Sequence, residues 1–436
     1  MSEQTDNQSK QSPEDAGSLE EDPTQEASNT SAAIESLPRT VWAVSLTSFL
    51  MDISSEMVIN VLPLFLSNVL GVKTNIIGLI EGIAEATASI LKVFSGWISD
   101  RIGSRKWLAV FGYGLSALTK PFFWFANTWH YVAGIRWADR VGKGIRTAPR
   151  DALVADNVQA QHRGLAFGLH RAADTAGAMI GLLTSAFLVW RLQGSNQLFQ
   201  NQTFKTIVLI SIVPAFLAVL ALALGAEEAK KKSTVQKPKI TFKGLGKNFL
   251  IFMLIVGSFD LGNSSDAFLV LRAQERGMSV LHILLMLAAF NLVYALVSTP
   301  AGILSDKVGR KRMIVIGWVV YALIYLGFAL AKTSVHVGLL YLLYGLYYGL
   351  TYGTAKAMVG DLVPDYLRGT AYGTYNAILG ILDFPASLIA GLLWSGFGGW
   401  AGFGPSAPFY FGAIMALLAS VGLVFWKPAK QPELVQ

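Results

Sequence analysis

The chain has 436 residues, 53% of them apolar and only 14% charged, with a formal net charge of +7. That balance is too apolar and too poor in charge for an ordinary soluble domain. Its basic residues gather in loops between apolar runs, so the charge does not call for nucleic acid, and the lack of cysteine excludes disulfides and thiolate metal sites.

Residues 1–38 are polar and carry nine acidic side chains against Lys10. They lack the basic start and short apolar core of a signal peptide, so they read as a disordered acidic tail. Beyond residue 38 the sequence turns apolar, and a bilayer-spanning helix needs about 20 such residues. Twelve segments qualify: 40–69, 75–98, 106–127, 129–153, 164–189, 205–224, 248–271, 280–304, 313–331, 335–359, 370–395 and 407–426. They group into a six-span half over 39–226, a basic polar linker over 227–247, and a second six-span half over 248–427. Residues 428–436 form a short tail. Basic runs at 101–106, 230–247 and 307–312 share one side, which predicts that both termini are cytoplasmic.

The two halves repeat each other. The loop after the second span holds Gly96, Asp100, Arg101, Gly103, Arg105 and Lys106. The loop after the eighth span holds Gly302, Asp306, Lys307, Gly309, Lys311 and Arg312 in the same spacing, G-x-x-x-D-[RK]-x-G-x-[RK]-[RK]. Asp156 and Arg163 return as Asp361 and Arg368, and Ser54-Ser55-Glu56 as Ser264-Ser265-Asp266. Such duplication places a transport pathway where the halves meet, near mid-membrane.

With these paired turns, the chain after the tail resembles a twelve-helix transporter of the major facilitator superfamily. The resemblance implies an all-α integral membrane fold of two pseudo-symmetric six-helix halves, in a cell (inner) membrane. It implies a protein that is not an enzyme, works as a monomer and needs no cofactor. It also implies a cytoplasmic gate, with Asp100 and Asp306 set against the helices that open at Arg368 and Arg163.

Ionisable groups within a bilayer are expensive unless paired or wet, so each is a functional candidate. The first span carries Asp52 and Glu56, and the second Glu81 and Glu85, both at i,i+4 spacing. The fourth carries Arg136, Asp139, Arg140, Lys143 and Arg146; the fifth carries His170, Arg171 and Asp174; the seventh carries Asp260 and Asp266. At the repeat offset Arg136, Asp139 and Lys143 fall on Tyr341, Tyr344 and Tyr348, and Arg171 falls on Asn376; Asp383 adds a late carboxylate. The first half therefore suits coupling-ion chemistry, and the second suits aromatic and polar contacts with substrate. Arg140 and Lys143 are expected to face Asp52 and Glu56 and to set when those carboxylates release a proton. The packing alternative keeps these charges as structural pairs, with Glu81 and Glu85 solvated at the extracellular mouth.

Gly168, Gly177 and Gly181 in the fifth span resemble the start of the glycine motif of proton-antiporting exporters, and the acidic pair of the first span resembles drug exporters. Together they favour proton-coupled export of an amphiphilic or cationic small molecule. An organic anion or phosphate ester, recognised by Arg140, Lys143, Arg146 and Arg171, is the alternative. A divalent metal on Asp52, Glu56, His170 and Asp174 is the third, and a transporter-like sensor is the alternative class.

Overall fold

The computed structural model describes residues 37–159, 162–194, 196–228, 244–364 and 367–427. The acidic tail up to residue 36, most of the linker and the end beyond residue 427 lie outside the described residues. The N-terminal half comprises α1 (Arg39–Ile59), α2 (Thr74–Ile102), α3 (Arg105–Phe122), α4 (Trp129–Asn157), α5 (Arg163–Gln193) and α6 (Asn201–Gly225). The C-terminal half comprises α7 (Gly246–Leu261), α8 (Ala267–Glu275), α9 (Val280–Val308), α10 (Arg310–Leu330), α11 (Ser334–Asp361), α12 (Arg368–Ser395) and α13 (Ala407–Phe425). Leu224, Leu254 and Phe425 are each more than three-quarters exposed, as an outer belt facing lipid tails requires.

Seven spans are long and apolar enough to cross a membrane by length and composition alone, among the described residues. The departures have physical causes. α2 and α4 hold the intramembrane charges, and the seventh span is not one helix. The apolar run 248–271 breaks between Leu261 and Ala267, over Gly262, Asn263, Ser264, Ser265 and Asp266. Those short polar residues compete with the helix for backbone hydrogen bonds. Irregular backbone at this depth survives only where it lines a cavity or is buried in protein. The first span also deviates: after Asn60 and Val61 it continues through Leu62–Leu64 into a π-helical turn, Phe65–Val69.

The halves meet along two seams, α2 against α12 and α5 against α9. The first is close-packed through glycines. A Cβ on Gly82 would lie 3.0 Å from Phe384 Cα, and one on Gly391 would lie 2.7 Å from Asn75 Cα. Gly78 is set against the Ser387 carbonyl in the same way. At the end remote from the basic turns hydrogen bonds also latch the two halves together. Asn68 Nδ2 donates to Gln274 Oε1 at 2.9 Å and Gln274 Nε2 returns to Asn68 Oδ1 at 2.6 Å. Asn75 Nδ2 donates to the Gly396 carbonyl at 2.8 Å. The fifth-span glycines serve packing too: Gly181 would bring a Cβ within 2.6 Å of the Ile53 carbonyl, so it lets α5 lie close on α1.

Candidate functional site

Between the halves lies a cavity of about 320 Å³. α1 contributes Glu56, α2 Glu81 and Glu85, and α4 Arg136 and Arg140. The C-terminal half contributes the broken segment Asn263–Ala267, then Tyr348 from α11, and Asp383 and Ser387 from α12. The unwound stretch thus brings Asn263, Ser264, Ser265 and Asp266 to one wall, which a continuous helix could not do.

The wall of the N-terminal half is a ladder of ion pairs. Arg136 grips Glu81 through Nε at 3.2 Å and a terminal nitrogen at 2.7 Å. One rung on, Arg140 meets Glu85 at 2.9 Å, and Arg136 also reaches Glu85 at 3.5 Å. α2 and α4 run in the same direction, so acids at i,i+4 on one face bases at i,i+4 on the other. Arg140 thus pairs with Glu85 rather than with the expected Asp52 and Glu56, while Lys143 stays within electrostatic reach of Asp52. The ladder also removes Glu81 from a solvated mouth, since its residue is only 4% exposed. Glu56 takes its hydrogen bond from Asn60 instead, at 2.7 Å.

Behind the ladder, Asp139 lies 3.6 Å from Arg136 and 3.7 Å from Lys120, whose amine also reaches Ser55 Oγ at 3.5 Å. Lys120 is 1% exposed and was not among the expected residues. Its signal in the sequence is a lone lysine near the end of an apolar run. Arg146 donates to Ser116 Oγ at 2.6 Å and stacks over Tyr113, which ties α4 to α3 away from the cavity.

The other expected residues separate into groups. Asp52 lies within electrostatic reach of both Lys143 and Asp174, and all three are off the cavity wall. His170 is buried 3.7 Å from Asp174 and lacks a hydrogen-bond partner on either ring nitrogen. Arg171 crosses the second seam to donate to Tyr294 at 3.1 Å. Of the tyrosine row, Tyr348 faces the cavity, whereas Tyr341 and Tyr344 are fully buried in an aromatic cluster with Phe290 and Tyr325. Tyr344 still reaches Asp266 with its hydroxyl at 3.3 Å. Asn376 satisfies its amide on the Tyr372 carbonyl of its own helix. Asp260 is buried behind the cavity and is taken up below. Among the described residues no three His, Asp or Glu side chains converge as a metal site.

The basic turns pair within each half and in parallel fashion. Arg105 binds Asp156 at 2.6 Å and Asp100 at 3.2 Å. Arg310 binds Asp361 at 2.8 Å and Asp306 at 3.6 Å. Asp100 and Asp306 were expected against the starts of α12 and α5; here they face their own α3 and α10 instead. Arg368 donates to the Gly360 carbonyl at 3.3 Å, and Arg163 opens α5. Gly103 ends α2 at a φ of +69°, where a side chain would be strained. These pairs are half-exposed, so each is worth at most about 1 kcal/mol. Arg105→Ala should therefore leave the melting temperature within a few degrees of wild type. Transport should slow several-fold if the triad times closure of this end, and unchanged flux would make it a topology element only.

Two six-span halves around a charged cavity define a polytopic transporter-type bundle. The family model of the Major Facilitator Superfamily matches residues 44–382 and 250–436. The chain belongs to that superfamily. It is 37% identical over 399 residues to a protein of Methanocaldococcus jannaschii described as an uncharacterized MFS-type transporter, covering 89% of this chain and 95% of the other. It is 24% identical to the multi-drug resistance efflux pump PmrA of Streptococcus pneumoniae, over 73% of this chain and 79% of that one. Among solved structures, a D-xylose-proton symporter superposes with a TM-score of 0.73 at 15% identity, covering 89% and 98% of the two chains.

Proposed function

We propose that this chain is a proton-coupled exporter of organic cations, embedded in the inner membrane with the basic turns in the cytoplasm. One observation carries the choice of substrate. The cavity wall holds Arg136 and Arg140, matched with Glu81 and Glu85, so Glu56, Asp266 and Asp383 remain as an excess of three carboxylates, with Arg140 within electrostatic reach of Asp383. Three carboxylates around a small space favour a cationic guest, and Tyr348 offers a ring face for cation–π contact. The resemblance to PmrA, itself a multidrug efflux pump, supports the same direction of transport.

In this orientation the Asn68–Gln274 latch is extracellular, and the conformation is the one that loads from the cytoplasm. Glu56 and Asp266 then face a choice between protons and the cationic guest. Protonation from outside releases the guest, and deprotonation inside readmits it. The anion alternative draws on Arg140, Lys143, Arg146 and Arg171; of these Arg140 alone lines the cavity, and it is matched there with Glu85. The metal alternative needs ligands that the described residues do not bring together.

The test is internal pH in proteoliposomes on addition of tetraphenylphosphonium or of benzoate. The cation should drive proton movement, and Asp266→Asn should reduce its flux at least tenfold. Proton movement with benzoate alone would favour the anion reading, and flux of either ion without protons would end the coupling model.

A further inference from the structure

In the C-terminal half one buried carboxylate stands off the cavity wall. Asp260, on α7, is 6% exposed, and its Oδ2 is sealed from solvent without a hydrogen-bond partner. Asp260 lies 14 residues from the start of α7, and Asp383 lies 15 residues from the start of α12. Both helices start from the basic end and pack together, so the two carboxylates sit at one depth, roughly 21–23 Å in. Asp383 is the charged group within electrostatic reach of Asp260, and it opens onto the cavity.

Among the described residues, the remaining surroundings supply hydroxyls and an amide but no cation. Asn263 donates its backbone N–H to the Asp260 carbonyl at 2.9 Å, and its side-chain oxygen accepts from Tyr321 of α10 at 3.3 Å. Tyr347 of α11 and Tyr375 of α12 interact with Asp260, and α13 carries only Tyr410, near its far end. On the cavity side Asp383 faces Glu85, Asp266 and Arg140. A buried carboxylate with an orphaned oxygen and no counter-cation is very costly if ionised. The sealed oxygen also leaves no room for a metal ion with its several oxygen ligands.

We propose that Asp260 and Asp383 form a second proton site, in the C-terminal half, separate from the cavity carboxylates that exchange with substrate. Asp260 holds the proton on Oδ2, and Asp383 passes it to and from the cavity when α7 shifts against α12. This rests on the proton-coupled reading. Its added consequence is that two protons enter for each monovalent cation expelled, which makes transport electrogenic.

The experiment compares wild type, Asp260→Asn and Asp383→Asn in proteoliposomes loaded with tetraphenylphosphonium, under imposed potassium-diffusion potentials. Wild-type efflux should accelerate with an inside-negative potential and move two protons per cation. Asp260→Asn should retain efflux, lose the voltage response and move one proton per cation. Infrared difference spectra should show a protonated-carboxyl band in wild type that is lost in Asp260→Asn. If that variant misfolds, Asp260→Ser should still give one proton per cation; Asp383→Asn is read by its proton ratio alone, whatever its rate of efflux. A wild-type ratio of one, or an unchanged ratio and band in the folded variants, overturns the second site. Absence of any proton flux in wild type instead overturns the coupling reading on which it stands.

Discussion

Arg136→Ala should be the most destabilising single substitution in the cavity wall. The guanidinium is 1% exposed and is held by Glu81, itself 4% exposed, with further contacts to Glu85 and Asp139. Removing it leaves a buried carboxylate with no compensating charge, a loss of about 3–5 kcal/mol in comparable buried pairs. The variant should be recovered poorly from membranes and melt well below wild type in detergent. Arg136→Leu combined with Glu81→Leu should regain most of that stability, because two well-packed apolar residues replace the pair at little net cost. Transport should not return with it. Arg136 also helps to hold Glu85, and Glu85 is the partner of Arg140 at the cavity surface. A double variant that transports at the wild-type rate would reduce the pair to a strut, and a single variant with an unchanged melting temperature would contradict the burial argument itself.

The same ladder marks where the sequence is transparent and where it is not. Spans and repeat are legible because hydropathy and a repeat offset near 206 are one-dimensional signals. The expected segment 129–153 and the observed α4, Trp129–Asn157, agree at their start, and the paired basic turns sit in equivalent places in both halves. Partner choice is not one-dimensional. Asp52 and Glu56, like Glu81 and Glu85, are acids at i,i+4, and either pair could face Arg136 and Arg140. What decides is that α2 and α4 lie side by side and run the same way, which sets Glu81 on Arg136 and Glu85 on Arg140 in register. The break in the seventh span was hidden for a different reason. Apolar residues on both sides of Gly262–Asp266 carry the hydropathy average across it. The cluster Gly-Asn-Ser-Ser-Asp was the available signal, since each of its members disfavours a helix interior. Lys120 is hard to see in the sequence because a single charge barely lowers the average of an apolar run.

Gly391→Val should shift the whole protein away from the conformation seen here. The added Cβ would lie 2.7 Å from Asn75 Cα, a backbone atom of α2 that cannot swing aside like a side chain. Overpacking of this kind costs roughly 1–3 kcal/mol, and it is paid only while α2 and α12 are in contact at this end. In the alternate conformation, where this end opens, the helices part and the strain disappears. A difference of that size moves the balance between the two states by roughly five- to more than a hundredfold, because about 1.4 kcal/mol is a factor of ten. Since the chain has no cysteine, Val270→Cys can report the shift cleanly. Val270 lines the cavity yet is 2% exposed, so an impermeant maleimide added outside should label it slowly in the otherwise unaltered protein. Adding Gly391→Val should raise that labelling rate at least tenfold and lower transport by a similar factor, since a carrier held open on one side cannot complete its cycle. Equal labelling with and without the valine would mean that the α2–α12 seam stays closed throughout the cycle, and the opening would then have to occur along α1 and α8, where the Asn68–Gln274 latch is the contact to break.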